Sequence, residues 1–220
     1  MTRTITVKGV GNVSAKPDYI TISMRIESVD KNYDKAMLEA GKRIEMLQNA
    51  ANDVGYEKDA IKTTRFNVMT RYENKKDRQG NYHQEFIGYV CNYDLKLSFD
   101  FDSKQLARVI SVIAKSGGRP DLGIAFTVKN PAKVSEALLK SATENAMAKA
   151  EILCQSSGTR LGQVLSIDYN WGELNVMSRT RYDIDEFVQP CIAMGVDYAP
   201  EIEPDDIDVS DTVAFVWAID

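Results

Sequence analysis

Apolar and polar residues follow two different periods along the chain, and each period predicts one type of secondary structure. From Ile20 to Glu27 they alternate strictly, which is typical of a strand with one buried face. From Tyr33 to Val54 the apolar residues recur at helical spacing, which predicts a helix. Gly55 is well placed to end that helix in a left-handed cap. The chain therefore mixes strands and helices.

Capping residues mark the ends of two later helices. Asp102 is a predicted N-cap, with Gln105 in the capping-box position. Asn130 caps a long alanine-rich helix, Pro131 suits its first position, and Gly158 is a predicted stop. The later elements, in order, are strands at about 61–72 and 89–101 with a polar hairpin loop between them, a short helix, a strand at 122–128, the long helix, and strands at 162–171 and 207–219.

The order of the elements repeats along the chain. A βαββ unit at about 1–101 is followed by a connecting helix in 102–117 and by a second such unit at 121–220. We expect one α+β domain over 1–220, with a largely antiparallel sheet and helices packed on one face. The first six elements also spell βαββαβ, the ferredoxin-like order. The pattern leaves open whether there is one continuous sheet or two subdomains.

The segment 172–206 departs from these periods. It contains three prolines, many acids and several apolar residues, and structureless loops of this length are uncommon unless they are functional or disordered. Its apolar content favours a flap, or an arm that docks on a neighbouring subunit. The candidate oligomer or flap contacts are Phe187, Val188, Ile192 and Met194.

Composition narrows the function classes. The 220 residues are 44% hydrophobic with a net charge of -5, so nothing suggests the basic surface that nucleic-acid binding requires. No apolar run approaches the roughly 20 residues of a membrane-spanning helix. The sequence begins without a signal-peptide pattern. We therefore expect a cytoplasmic protein, or a periplasmic or exported one if a leader has been removed.

The stretch TVKGVGNVSAKPD holds the best candidate for a phosphate-binding turn. Gly9 and Gly11 follow a strand, but a dinucleotide fingerprint needs a further small residue three places later and a helix beginning there. Here the chain runs through Pro17, which disfavours helix at Lys16, into another strand. The two glycines are therefore predicted to form a bulge or a tight bend in a strand.

No other residue set indicates catalysis. His83 is the only histidine and lies in the predicted hairpin loop, where a surface position is expected. Cys91 and Cys154 fall on predicted buried faces, so Cys191 is the one candidate redox thiol. We predict no catalytic residues, no cofactor site and no metal site, and hence a protein that is not an enzyme.

Several segments resemble the SIMPL-domain family, which includes bacterial periplasmic immunogenic proteins and proteins linked to oxidative-stress defence. The most specific are the G-x-G-x-x-x-x-x-P-D opening from Gly9 to Asp18, the D-x-I-x-T segment from Asp59, and Gly88 before Tyr89. The resemblance implies an α+β fold, no known catalytic residues, and large ring-like or channel-like homo-oligomers in some members. Exported members carry a leader, and this sequence starts at the first strand.

Two functions are consistent with this sequence. The first is a non-enzymatic, self-assembling protein linked to stress defence or the cell envelope, whose expected partner is a second copy of itself. The alternative is a module that binds a small molecule or peptide in a cleft under the 172–206 flap.

Overall fold

The computed structural model describes residues 3–77, 80–169, 174–184 and 202–220, and within them it has three α-helices and eight strands. The predicted α+β class is confirmed. The elements are β1 (Thr4–Ala15), β2 (Tyr19–Asp30), α1 (Tyr33–Asp53), β3 (Lys62–Lys76), β4 (Tyr82–Asp100), α2 (Ser103–Lys115), β5 (Asp121–Thr127), α3 (Pro131–Ser157), β6 (Leu161–Asp168), β7 (Met177–Ile184) and β8 (Ile207–Ile219).

The helix ends are set by the predicted capping residues. The Asp102 carboxylate accepts hydrogen bonds from two backbone N–H groups in the first turn of α2, and the Asn130 side chain accepts one in the first turn of α3. Pro131 is the first residue of α3. Gly55 and Gly158 follow α1 and α3 with φ of +95° and +72°, the left-handed conformation that glycine adopts without strain. These predictions are confirmed.

The strands form two antiparallel sheets rather than one. The five-stranded sheet has the order β3-β4-β2-β5-β7, and the three-stranded sheet has the order β1-β8-β6. The run from β2 to β5 has the predicted βαββαβ order and forms four adjacent strands. The second predicted βαββ run is shared between the sheets, because Leu122, Ile124 and Phe126 of β5 are buried in the core that β2, β4 and α2 form.

One compact unit contains residues 19–77, 80–126, 180–184 and 202–203 of the described chain. The helices α1 and α2 cover one face of its sheet, and the apolar faces of β2, β4 and β5 point toward them. The most deeply buried side chains of this core are Ile20, Ile22, Met24, Ile26, Leu47, Leu95, Leu97, Val109, Ile113 and Phe126.

The β3–β4 hairpin is longer than predicted, and the expected polar loop between 72 and 89 is mostly strand. The two strands pair from Lys62 opposite Lys96 out to Lys76 opposite Tyr82. Cross-strand contacts support the polar part: Lys75 forms a 2.7 Å ion pair with Glu85. The sequence pattern did not predict this part of the strands, because its side chains are charged and pair across the hairpin instead of packing in a core.

The other compact unit contains residues 3–18, 127–169, 174–179 and 204–220 of the described chain. Its sheet joins the two ends of the sequence, since β1 pairs with β8 without interruption from Thr4 opposite Ala218 to Ala15 opposite Ile207. Helix α3 packs on this sheet. This unit carries the candidate site.

The 172–206 segment contains a strand that the sequence analysis did not assign. This strand, β7, lies at one edge of the five-stranded sheet, next to β5. Just before β7, the Val176 carbonyl accepts a hydrogen bond from the Thr127 hydroxyl. Within β7, the buried Ser178 hydroxyl donates to the Asp205 carbonyl at 2.7 Å. Part of the predicted flap is therefore regular structure.

Candidate interaction site

The glycine pair of β1 lies where helix α3 comes closest to the strand. A Cβ atom on Gly9 would stand 2.0 Å from the Ala142 carbonyl oxygen, and one on Gly11 would stand 2.2 Å from the Leu138 carbonyl oxygen. Pairing with β8 continues through both glycines without a register shift. The predicted bulge or tight bend is therefore wrong. These positions lack side chains because the helix backbone occupies that space.

The close approach extends along α3 because helix and strand repeat at nearly the same distance. Four helical residues rise about 6.0 Å, and two strand residues rise about 6.8 Å. Every fourth residue of α3 can therefore face every second residue of β1. Three of the residues that face the sheet are alanines, whose small side chains allow helix and strand to approach closely. The buried stripe consists of Val134, Leu138, Ala142, Ala146, Ala150 and Cys154.

A second stripe on α3 caps the outer edge of β1. Its polar residues are again four positions apart, and they bond to backbone groups two residues apart on the strand. Such bonds use up the N–H and C=O groups that would otherwise pair with another strand. The three bonds are Asn12 N–H to Ser141 Oγ at 3.3 Å, Val10 N–H to Asn145 Oδ1 at 3.0 Å, and Lys149 Nζ to the Lys8 carbonyl at 3.2 Å.

The opposite edge of the same sheet, β6, is open. No strand among the described residues pairs with its outer side. On β8, Trp217 and Phe215 are buried beneath α3. Their partners on β6, Val164 and Ile167, are 48% and 61% exposed. The next residue after Val164, Leu165, is 44% exposed. The apolar face of the sheet thus extends beyond the part that α3 covers, onto β6.

Opposite charges flank this open edge. Arg160 precedes β6 and Asp168 ends it, and both side chains are exposed. The backbone of Arg160 exchanges two hydrogen bonds with that of Asp220, so the pairing between β6 and β8 extends to Arg160. Within the described residues neither side chain has an ion-pair partner. Between them the sequence LGQVLSI carries no charge.

Two clefts also lie on this unit. The first, of about 550 Å³, is at the start of α3, where the Lys129 backbone N–H donates to the Asp18 carboxylate at 2.6 Å, and its lining includes Lys16, Lys129 and Lys133. The second, of about 530 Å³, combines Arg179 of the predicted flap with Asp208 of β8 and polar residues of β1.

The predicted packing roles of two cysteines are confirmed. Cys91 and Cys154 are buried, and the Cys91 Sγ lies 3.5 Å from the Met37 Sδ. Burial raises the pKa of the Cys91 thiol. His83 is exposed near the end of the hairpin, as predicted.

The remaining predicted site residues lie outside the described part of the chain. Among the residues that the structure does describe, no three metal-ligating side chains come together, and no helix is long and apolar enough to cross a membrane. The predicted contacts outside this part are Phe187, Val188, Ile192 and Met194, with the candidate redox thiol Cys191.

Sequence reasoning missed both strand edges. The i, i+4, i+8 spacing of Ser141, Asn145 and Lys149 beside the alanine stripe was a usable signal for the capped edge. The open edge had a weaker signal, since Val164, Leu165 and Ile167 break the alternation expected of a half-buried strand.

Comparison with protein families decides the affiliation of the chain. The family described as SIMPL, protein of unknown function (DUF541), matches residues 5–217. The chain belongs to the SIMPL family. The match spans both sheets, from the glycine pair of β1 to β8, so both edges of the three-stranded sheet lie within the SIMPL region. The resemblance read from the sequence segments is confirmed.

Two relatives of this SIMPL protein have the same name. The 26 kDa periplasmic immunogenic protein of Brucella melitensis biotype 1 is 25% identical over 166 residues, which cover 74% of this chain and 65% of the relative. The protein of that name from Brucella abortus is 24% identical over 166 residues, with the same coverage. The chain thus spans slightly less than two thirds of the length of these relatives.

Proposed function

We propose that this SIMPL protein is not an enzyme and acts through self-association, in stress defence or at the cell envelope. The observation that carries the proposal is the difference between the two edges of the three-stranded sheet. Helix α3 caps β1 with three side-chain hydrogen bonds, whereas β6 exposes Val164, Leu165 and Ile167, and its outer edge pairs with no strand in the described part of the chain. An open, apolar strand edge is a template for adding another strand.

The non-enzymatic part of the proposal is supported by the surroundings of the reactive side chains. The sequence has one histidine, His83, and it is exposed on the hairpin. Cys91 and Cys154 are buried, and burial raises the pKa of the Cys91 thiol, which disfavours its nucleophilic thiolate form.

The link to the envelope is supported by the relatives, which are named as periplasmic proteins. The cytoplasm is the alternative compartment, and the expectation from the sequence favoured it. Fractionation of cells that express the protein from its natural gene separates the two. Recovery with periplasmic marker proteins supports an envelope role, and recovery with cytoplasmic markers removes it.

Self-association is tested by the solution mass of the chain, measured by light scattering after size exclusion. We expect the wild type to have a multiple of 24.6 kDa and the Val164→Lys/Ile167→Lys variant to have the monomer mass, because a lysine on an edge strand opposes pairing. The matched control is Leu38→Lys, which changes a 60% exposed residue of α1. A wild-type mass of 24.6 kDa over the whole concentration range contradicts the proposal.

A binding module is the second candidate, and the cleft of about 530 Å³ favours it. Arg179 and Asp208 place a positive and a negative group in one cleft, which suits a small zwitterion such as an amino acid or a short peptide. A thermal-shift screen of amino acids and dipeptides tests this function. Stabilisation that disappears in Arg179→Ala supports it, and the absence of any shift removes it.

A further inference from the structure

We infer that the partner of β6 is the β6 strand of a second copy, paired antiparallel about a two-fold axis at Val164. This inference rests on the proposed self-association and specifies its geometry. An antiparallel pair centred on one residue is an isologous contact, in which the same patch serves both copies.

The charges at the two ends of β6 are complementary in this register. Residues whose numbers are equally far from Val164 stand opposite each other, so Arg160 of each copy faces Asp168 of the other. Neither side chain has a described partner within its own chain, and both are exposed. Two cross-strand ion pairs therefore form per dimer, one at each end.

The apolar residues on the face that α3 covers are also matched, whereas Leu165 would stand opposite Gln163. Val164 faces its own counterpart on the axis, and Leu161 faces Ile167 on either side. Val164 and Ile167 lie on the face that α3 covers further along the sheet, so pairing would shield apolar surface that is 48% and 61% exposed in the single chain. Burial of such surface is the main favourable contribution to association.

The irregularities of β6 favour a second copy over a regular strand of another protein. Its pairing with β8 shifts between Leu161 and Val164 and again between Val164 and Ser166. These bulges flank the proposed axis, so each copy would present a bulge where the other has one. Charged residues are one of several devices that protect natural edges from pairing, and none lies between Arg160 and Asp168.

Pairing in this way produces a six-stranded sheet that cannot grow further. Its order would be β1-β8-β6 followed by the same strands of the second copy in reverse. Both outer strands would then be β1, whose outer edge α3 already caps. Association through this sheet thus stops at two copies, and larger assemblies of even copy number need another surface.

Cysteine cross-linking tests the register, in a Cys191→Ser background. Directly opposite residues have Cα atoms about 4.5–5.5 Å apart, within the range that a disulfide requires. We expect Val164→Cys to form a covalent dimer of twice 24.6 kDa on oxidation with copper–phenanthroline. Ile167→Cys is the matched control, because its partner is Leu161. It should remain monomeric under the same oxidation, whereas Leu161→Cys/Ile167→Cys should cross-link.

Charge reversal is an independent test that does not depend on a disulfide. Arg160→Asp and Asp168→Arg each convert two attractive pairs into two repulsive ones, and we expect the dimer dissociation constant to rise roughly tenfold for either change. The double variant restores opposite charges and should return to within about twofold of the wild type.

The outcomes distinguish this inference from the proposed function. If the wild type associates but Val164→Cys does not cross-link and the charge reversals have no effect, the β6 register is overturned and self-association stands. If the wild type is a monomer at all concentrations, both fail. Rescue by the double charge variant together with Val164 cross-linking supports both.

Discussion

At the scale of single residues, the glycine pair of β1 determines how closely α3 can pack. Both Gly9→Ala and Gly11→Ala would bring a methyl group against a helix carbonyl, at 2.0 and 2.2 Å. Overpacking of this kind costs about 3 kcal/mol of unfolding free energy. Urea denaturation measures the change for each variant.

A third glycine provides the control. Gly41 lies within α1, and a Cβ there meets nothing within 4 Å. Gly41→Ala should raise the unfolding free energy by up to about 1 kcal/mol, because alanine is the better helix former. Loss of stability at Gly41 similar to that at Gly9 and Gly11 would show that contact with α3 is not the cause.

Thiol chemistry provides a second prediction at this scale. Burial raises the pKa of Cys91, so less thiolate is present at a given pH than for a free cysteine. In a Cys191→Ser background at pH 8, we expect Cys91 and Cys154 to react with a thiol reagent far more slowly in the native protein than in urea. Fast reaction of both thiols in the native protein would contradict their buried positions.

The sequence pointed to the glycine pair of β1 as a notable feature but did not predict its role. The motif around Gly9 and Gly11 was found and a phosphate-binding turn was excluded. Their role in packing was not found, because the contacted helix residues lie far along the chain, as the sequence separation of 135 between Val10 and Asn145 illustrates. Local patterns do not report such contacts.

At the scale of elements, the polar stripe of α3 is what separates a capped edge from an open one. Asn145→Ala removes the acceptor for the Val10 N–H, and we expect a loss of about 1 kcal/mol in unfolding free energy. Hydrogen exchange at Val10 should also become faster, whereas exchange at Gly9 should change less, because N–H groups alternate between the two sides of a strand and the Gly9 N–H therefore faces β8 rather than α3. Unchanged exchange at Val10 would remove the capping role.

The helices could be predicted closely and the sheets could not. Caps such as Asp102, Asn130 and Gly158 are local signals, and the structure places all three as expected. Strand pairing depends on residues far apart in sequence, which is why β5 was grouped with β6 and β8. Strand β7 was likewise not predicted, because the prolines and acids around it led to the interpretation of this segment as a flap.

At the scale of the whole molecule, the open question between one sheet and two is answered, since the described chain has two sheets and two compact units. The family was also recognisable from short segments spread over the sequence, and the match over residues 5–217 bears this out. The open edge of β6 could not be predicted, because it depends on which strand is outermost in a sheet.

The most direct test of the central claim is hydrogen exchange of the two edge strands at low and high protein concentration. We predict that the β6 amides that point away from β8 are protected only at high concentration, since their partner comes from a second copy, whereas those that bond to β8 are protected at both concentrations. The β1 amides should be equally protected at both concentrations, because α3 caps them within the same chain. Exchange in β6 that does not depend on concentration would contradict the account.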